Sequence, residues 1–81
     1  MAGGRRAKSE EELDFNVALG RKIAAARRDK GMTLEELAKG LGVSKQRLHW
    51  YEIGRSSVPA HLLKELARAL SLSVTELSYP Q

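Results

Sequence analysis

Helix punctuation constrains this chain more than any other feature. Ser9-Glu10-Glu11-Glu12, Thr33-Leu34-Glu35-Glu36 and Ser73-Val74-Thr75-Glu76 each place a hydroxyl three residues ahead of a glutamate. In such a box the hydroxyl oxygen accepts an unpartnered N–H of the first helical turn, and the glutamate reaches back to the cap's own N–H. Ser44 supplies a further N-cap. Gly31, Gly42 and Gly54 stand where helices begun at 9, 33 and 44 must stop, because glycine takes the left-handed conformation of a helix end at little cost. Pro59 suits the first turn of another helix, where its missing N–H is harmless. Nothing alternates as a strand would, so the chain reads as all-α with five helices.

The apolar spacing agrees with that division. Phe15, Leu19, Ile23 and Arg27 recur every four residues with Ala26 beside them, which marks one face of the first helix. Leu37, Ala38 and Leu41 face inward from the second helix, and Leu48 and Tyr51 from the third. Leu62, Leu63, Leu66, Ala67 and Leu70 mark the fourth. Met32–Leu37, Val43–Leu48 and Leu72–Leu77 are spaced as hydrophobic staples, which fix the angle at which the chain enters a helix. With 81 residues the chain is one small domain: residues 1–8 form a flexible basic arm carrying Arg5, Arg6 and Lys8, residues 9–78 the helical domain, and residues 79–81 a short tail.

Composition removes several function classes. The chain has no Cys, which excludes disulfides, thiolate zinc sites and a cysteine nucleophile. His49 and His61 lie too far apart for helical ligand spacing, so no metal is expected. No Ser/His/Asp arrangement, glycine-rich phosphate loop or paired carboxylates in a cleft is visible, and neither an enzyme nor a cofactor is expected. The acidic clusters sit at helix starts, where they suit the dipole. No apolar run approaches the ~18 residues of a membrane span, and no signal peptide is evident, so the expected location is cytoplasmic. The net charge of +4 favours a polyanionic partner.

One spacing carries the functional reading. Ala38 is small enough to let two helices cross, Gly42 four residues later supplies the turn, and Leu48 six residues after that returns to the core. Small, glycine, apolar at this spacing is the helix-turn-helix pattern. From about residue 18 to 77 the chain resembles the lambda-repressor/Cro-type helix-turn-helix family, through LGRKIAAARRDKGMTLEELAKGLGVSKQRLHWYEIGR and LLKELARALSLSVTEL. The resemblance implies a five-helix lambda-repressor-like domain acting as a transcriptional regulator, a repressor. It implies a homodimer on a pseudo-palindromic site in double-stranded DNA, in bacteria or their phages.

The resemblance also assigns roles by position. Residues 44–53 become the recognition helix, with Lys45, Gln46, Arg47 and Trp50 against base edges. The chemistry is apt, since Arg or Lys pairs with guanine O6/N7 and Gln with adenine N6/N7. Arg55, Ser44, Arg21, Lys22 and His49 become phosphate contacts, Arg27 and Glu52 a structural ion pair, and Leu77 and Tyr79 a dimer interface. Leu34, Trp50 and Ile53 depart from the family pattern, which more often has Gln, a polar residue and Asn there. Three apolar residues on one expected face also admit another reading: an antitoxin or protein-interaction module on the same fold, with a protein partner.

Overall fold

The computed structural model describes residues 8–78, with side chains from 14 to 78. The described residues form α1 (Lys8–Asp29), α2 (Leu34–Leu41), α3 (Lys45–Glu52), α4 (Ala60–Ala69) and α5 (Val74–Ser78), with no strand among them. The arm at 1–7, the tail at 79–81 including Tyr79, and the side chains of the Ser9–Glu12 box lie outside the described residues. The backbone of α1 is already helical at Lys8, one residue ahead of the expected Ser9 cap.

Two of the expected capping boxes close in full. Thr33 Oγ1 accepts from the Glu36 N–H at 3.0 Å while Glu36 Oε1 accepts from the Thr33 N–H at 2.8 Å. Ser73 and Glu76 repeat the exchange at 2.9 and 2.8 Å. Ser44 caps α3 alone, its Oγ accepting from the Arg47 N–H at 3.0 Å. Pro59 occupies the cap position of α4 rather than its first turn and offers no side-chain bond.

The helix ends share one device. At the end of α1 the Met32 N–H donates to the Arg27 carbonyl at 3.0 Å and the Gly31 N–H to the Arg28 carbonyl at 2.9 Å. Val43→Ala38 with Gly42→Lys39 closes α2, and Arg55→Trp50 with Gly54→Tyr51 closes α3, in the same two-bond Schellman pattern. The pivot needs positive φ, and Gly31, Gly42 and Gly54 take +70°, +73° and +80°. The end of α4 repeats the pattern with a residue the sequence gives no reason to expect. Ser71 is the pivot at φ +60°, with Leu72→Ala67 and Ser71→Arg68 as the two bonds. An L side chain there costs about 1–2 kcal/mol, and glycine's extra freedom in the unfolded chain takes back part of that gain. Ser71→Gly should therefore stabilise the domain by about 0.5–1 kcal/mol. A thermal melt should show a midpoint roughly 4 °C higher; an unchanged or lower midpoint would mean that the exposed bond from Lys30 Nζ to Ser71 Oγ (3.0 Å) matters more than the strain.

The core gathers Leu19 and Ile23 of α1, Leu37 and Ala38 of α2, and Leu48 and Tyr51 of α3. Leu62, Leu66 and Ala67 of α4, Leu70 and Leu77 complete it. Met32, Val43 and Leu72 pack against its edge, as expected of the staples. Two expectations fail. Phe15 continues the inward stripe of α1 in sequence, yet it is 48% exposed. With 22 residues α1 is more than twice as long as either helix packed on it, α3 with 8 and α5 with 5, so its first turns run past the bundle. Leu77, assigned to a dimer interface, has no exposed surface at all. The short α5 folds back between α1 and α4, and Leu77 is the residue that plugs it into the core.

Candidate nucleic-acid interface

The turn at Gly42 sends α3 across α2 with Leu48, Tyr51 and Glu52 inward. At 3.6 residues per turn, Gln46, Trp50 and Ile53 then lie nearest the direction away from the core, with His49 turned to one side of them; Gln46, His49 and Ile53 are exposed and Trp50 is half-buried. Lys45 and Arg47 are exposed too, but on opposite flanks of Gln46 rather than along a single edge. Ser44 uses its oxygen as a cap, which leaves its hydroxyl hydrogen free to donate.

Three contacts hold this helix against α1. The first was expected: Arg27 Nε donates to Glu52 Oε2 at 2.7 Å and a terminal nitrogen to Oε1 at 3.2 Å, a two-pronged pair. Its other terminal nitrogen donates to the Met32 carbonyl at 2.8 Å, so one guanidinium ties α1, the α1–α2 turn and α3 together. Only 13% of the Arg27 side chain and 7% of the Glu52 side chain remain exposed. Hydrogen bonding to Glu52 raises the Arg27 pKa above its already high ordinary value, against the lowering effect of burial. The second contact was missed. Gly20 lies against the end of α3, and a Cβ built on it would collide with the Tyr51 and Glu52 carbonyl oxygens. Gly54 makes the third, where a Cβ would come within 2.6 Å of Val17 Cα. The available signal for Gly20 was a glycine inside an otherwise well-formed helix, which has an intrinsic cost and so calls for a packing reason.

The outward face of α3 has cations on both sides. Toward α1 and α2 a recess of about 350 Å³ is bordered by Arg21, Arg28, Leu34, His49 and Ile53, with Arg27 and Glu52 also lining it. On the opposite side Arg55 places its guanidinium carbon over the Trp50 ring, 4.9 Å from the centroid. Trp50 is half-buried and Arg55 exposed. Of the apolar departures, Leu34 and Ile53 share the recess, while Trp50, three residues before Ile53 on the outward face, lies outside that lining and under Arg55. Lys22 does not join this face. Its Nζ donates to the Glu76 carbonyl at 2.8 Å, which ties it to α5 instead. Arg28, absent from the expected site residues, does join it. Among the described residues no group of His, Asp or Glu could hold a metal ion, and no helix is long and apolar enough to cross a membrane.

Residues 18–79 match the model of a helix-turn-helix domain family. The HTH-type transcriptional regulator y4dJ of Sinorhizobium fredii is 40% identical over 68 residues, covering 84% of this chain and 88% of that protein. Among solved structures, the clp gene regulator ClgR of Corynebacterium glutamicum superposes with a TM-score of 0.75 at 40% identity, over 78% of this chain and 67% of the other. The restriction-modification controller protein C.AhdI of Aeromonas hydrophila gives 0.73 at 30% identity, over 79% of this chain and 96% of the other. The biofilm master regulator SinR, solved in complex with DNA, gives 0.67 at 33% identity over 73% and 95%. The five-helix architecture, the capped turn at Gly42 and these similarities agree: the chain belongs to the helix-turn-helix domain family, a family of DNA-binding transcriptional regulators and not of enzymes.

Proposed function

We propose that this chain represses transcription in the cytoplasm by laying α3 into the major groove of a specific DNA site. The observation that carries this reading is the arrangement of charge around α3. Its outward face presents Gln46 between exposed Lys45 and Arg47. Arg21, Arg28 and His49 flank it on one side and Arg55 on the other, where the two phosphate backbones of a groove would run. Lys45, Gln46 and Arg47 read bases; Ser44, Arg21, His49 and Arg55 contact phosphate. Two copies bind a pseudo-palindrome with recognition helices about 34 Å apart, one turn of DNA. With Leu77 buried, the surface that α5 offers a second copy is centred on Val74, which is 41% exposed.

The test is selection of bound duplexes from a random pool, followed by titrations of wild type, Gln46→Ala and Arg47→Ala at several salt concentrations. Wild-type affinity should fall by roughly 100-fold or more from low to moderate salt, as counterions released by phosphate contacts require. Each alanine variant should lose preference at particular base positions, by about 1–3 kcal/mol per lost bidentate pair. Uniform losses with base preference intact would move the reading surface elsewhere. The exposure of Ile53 beside Leu34 favours a second reading, an antitoxin-like protein-interaction module. Absence of DNA binding at every salt concentration would select it.

A further inference from the structure

Trp50 and Arg55 are bound to each other by backbone as well as side chain. The Arg55 N–H donates to the Trp50 carbonyl at 2.9 Å and the Ser56 N–H approaches the same carbonyl at 3.4 Å. Gly54, wedged against Val17 of α1 at φ +80°, fixes the turn that makes these bonds. In a Schellman closure the residues joined by the longer bond often pack as an apolar pair. Ala38 with Val43 and Ala67 with Leu72 occupy these positions at the ends of α2 and α4. At the end of α3 the pair is Trp50 and Arg55, and the apolar partner is replaced by a cation over an indole.

The consequence is chemical. A guanidinium held over a ring by its charge spends none of its N–H donors on the contact, which leaves them free for a bidentate anion. Arg55 forms no ion pair with any described residue, and it is exposed. We propose that Trp50 is a positioning residue in place of the base contact that the family resemblance implies. Its ring holds Arg55 at the C-terminal edge of the recognition helix, with the donor edge turned to a DNA phosphate. This rests on the DNA-binding reading above.

The experiment measures the salt dependence of binding to mixed-sequence duplex DNA for wild type, Arg55→Ala, Trp50→Ala, Trp50→Tyr and the Arg55→Ala/Trp50→Ala double variant. Arg55→Ala should lower the salt slope by about one. Trp50→Ala should lower it by a similar amount although tryptophan carries no charge, and Trp50→Tyr, which keeps a ring face, should restore most of it. The double variant should be no worse than either single one, as for residues acting as a unit. Base preference on the selected duplex should be unchanged throughout. A Trp50→Ala variant with an unaltered slope, or one that loses discrimination at a single A·T pair, overturns the proposal. The chain has one Trp, so its fluorescence gives an arm that does not depend on Trp50 variants folding. Arg55→Ala should make the wild-type indole more accessible to acrylamide quenching, and equal quenching with and without Arg55 also overturns the pairing. If wild type itself shows no salt-dependent binding, the DNA reading falls and takes this proposal with it, whereas binding with an unaffected slope removes this proposal alone.

Discussion

Gly20→Ala should be among the most damaging single-methyl changes in the domain. The new Cβ would enter the space held by the Tyr51 and Glu52 carbonyls, and those atoms are the backbone of a helix end, not a side chain that can turn aside. Relief requires moving α1 away from α3, which opens the contact between Leu19 and Ile23 on one helix and Leu48 and Tyr51 on the other. Overpacking of this kind costs up to about 3 kcal/mol, and occasionally more. A domain of this size has roughly 4–12 kcal/mol in total. Helix propensity alone predicts the opposite sign, because alanine is favoured over glycine inside a helix by about 1 kcal/mol. The experiment therefore separates local from tertiary control. Circular dichroism should show a melting midpoint lowered by 10 °C or more, taking roughly 4–8 °C per kcal/mol for a domain of this length. A stabilised Gly20→Ala variant would mean that the helices are not in backbone contact there.

Glu52→Ala should rank beside it. Removing the carboxylate leaves Arg27 largely buried with one remaining partner, the Met32 carbonyl. Breaking a buried pair by deleting one member typically costs about 3–5 kcal/mol, because the surviving charge is uncompensated. Glu52→Gln keeps the shape and one acceptor and should lose clearly less. The same physics makes the intact pair a better guarantor of geometry than of stability: exchanging both residues for apolar ones, as in Arg27→Met with Glu52→Leu, should be milder than Glu52→Ala. Melting curves of these variants decide the matter. DNA affinity should fall only as α3 loses its seat, in proportion to the unfolded fraction, because neither side chain is on the outward face. If Glu52→Ala melts within a few degrees of wild type while DNA binding is lost, the pair belongs to the interface and not to the scaffold.

What the sequence alone could determine is what happens within a turn or two of chain. The Thr33–Glu36 and Ser73–Glu76 boxes, the glycine stops at 31, 42 and 54, and the inward stripes of α2, α3 and α4 depend on neighbours three to five residues apart. They are legible for that reason. The Arg27–Glu52 pair was legible only through family resemblance, since nothing in the spacing of residues 25 apart implies contact. The tertiary structure decided the rest. The stripe from Phe15 to Ile23 is continuous in sequence, but whether its first member is buried depends on how far the neighbouring helices reach along α1. Leu77 and Lys22 were assigned outward roles from α5 and α1 separately, and the docking of those two helices on each other buried one and occupied the other. Trp50 and Arg55 form one unit only because Gly54 folds the chain back over the end of α3. Local bonding is encoded in adjacent residues, whereas which surfaces remain open is settled by helices far apart in the chain, competing for the same apolar area.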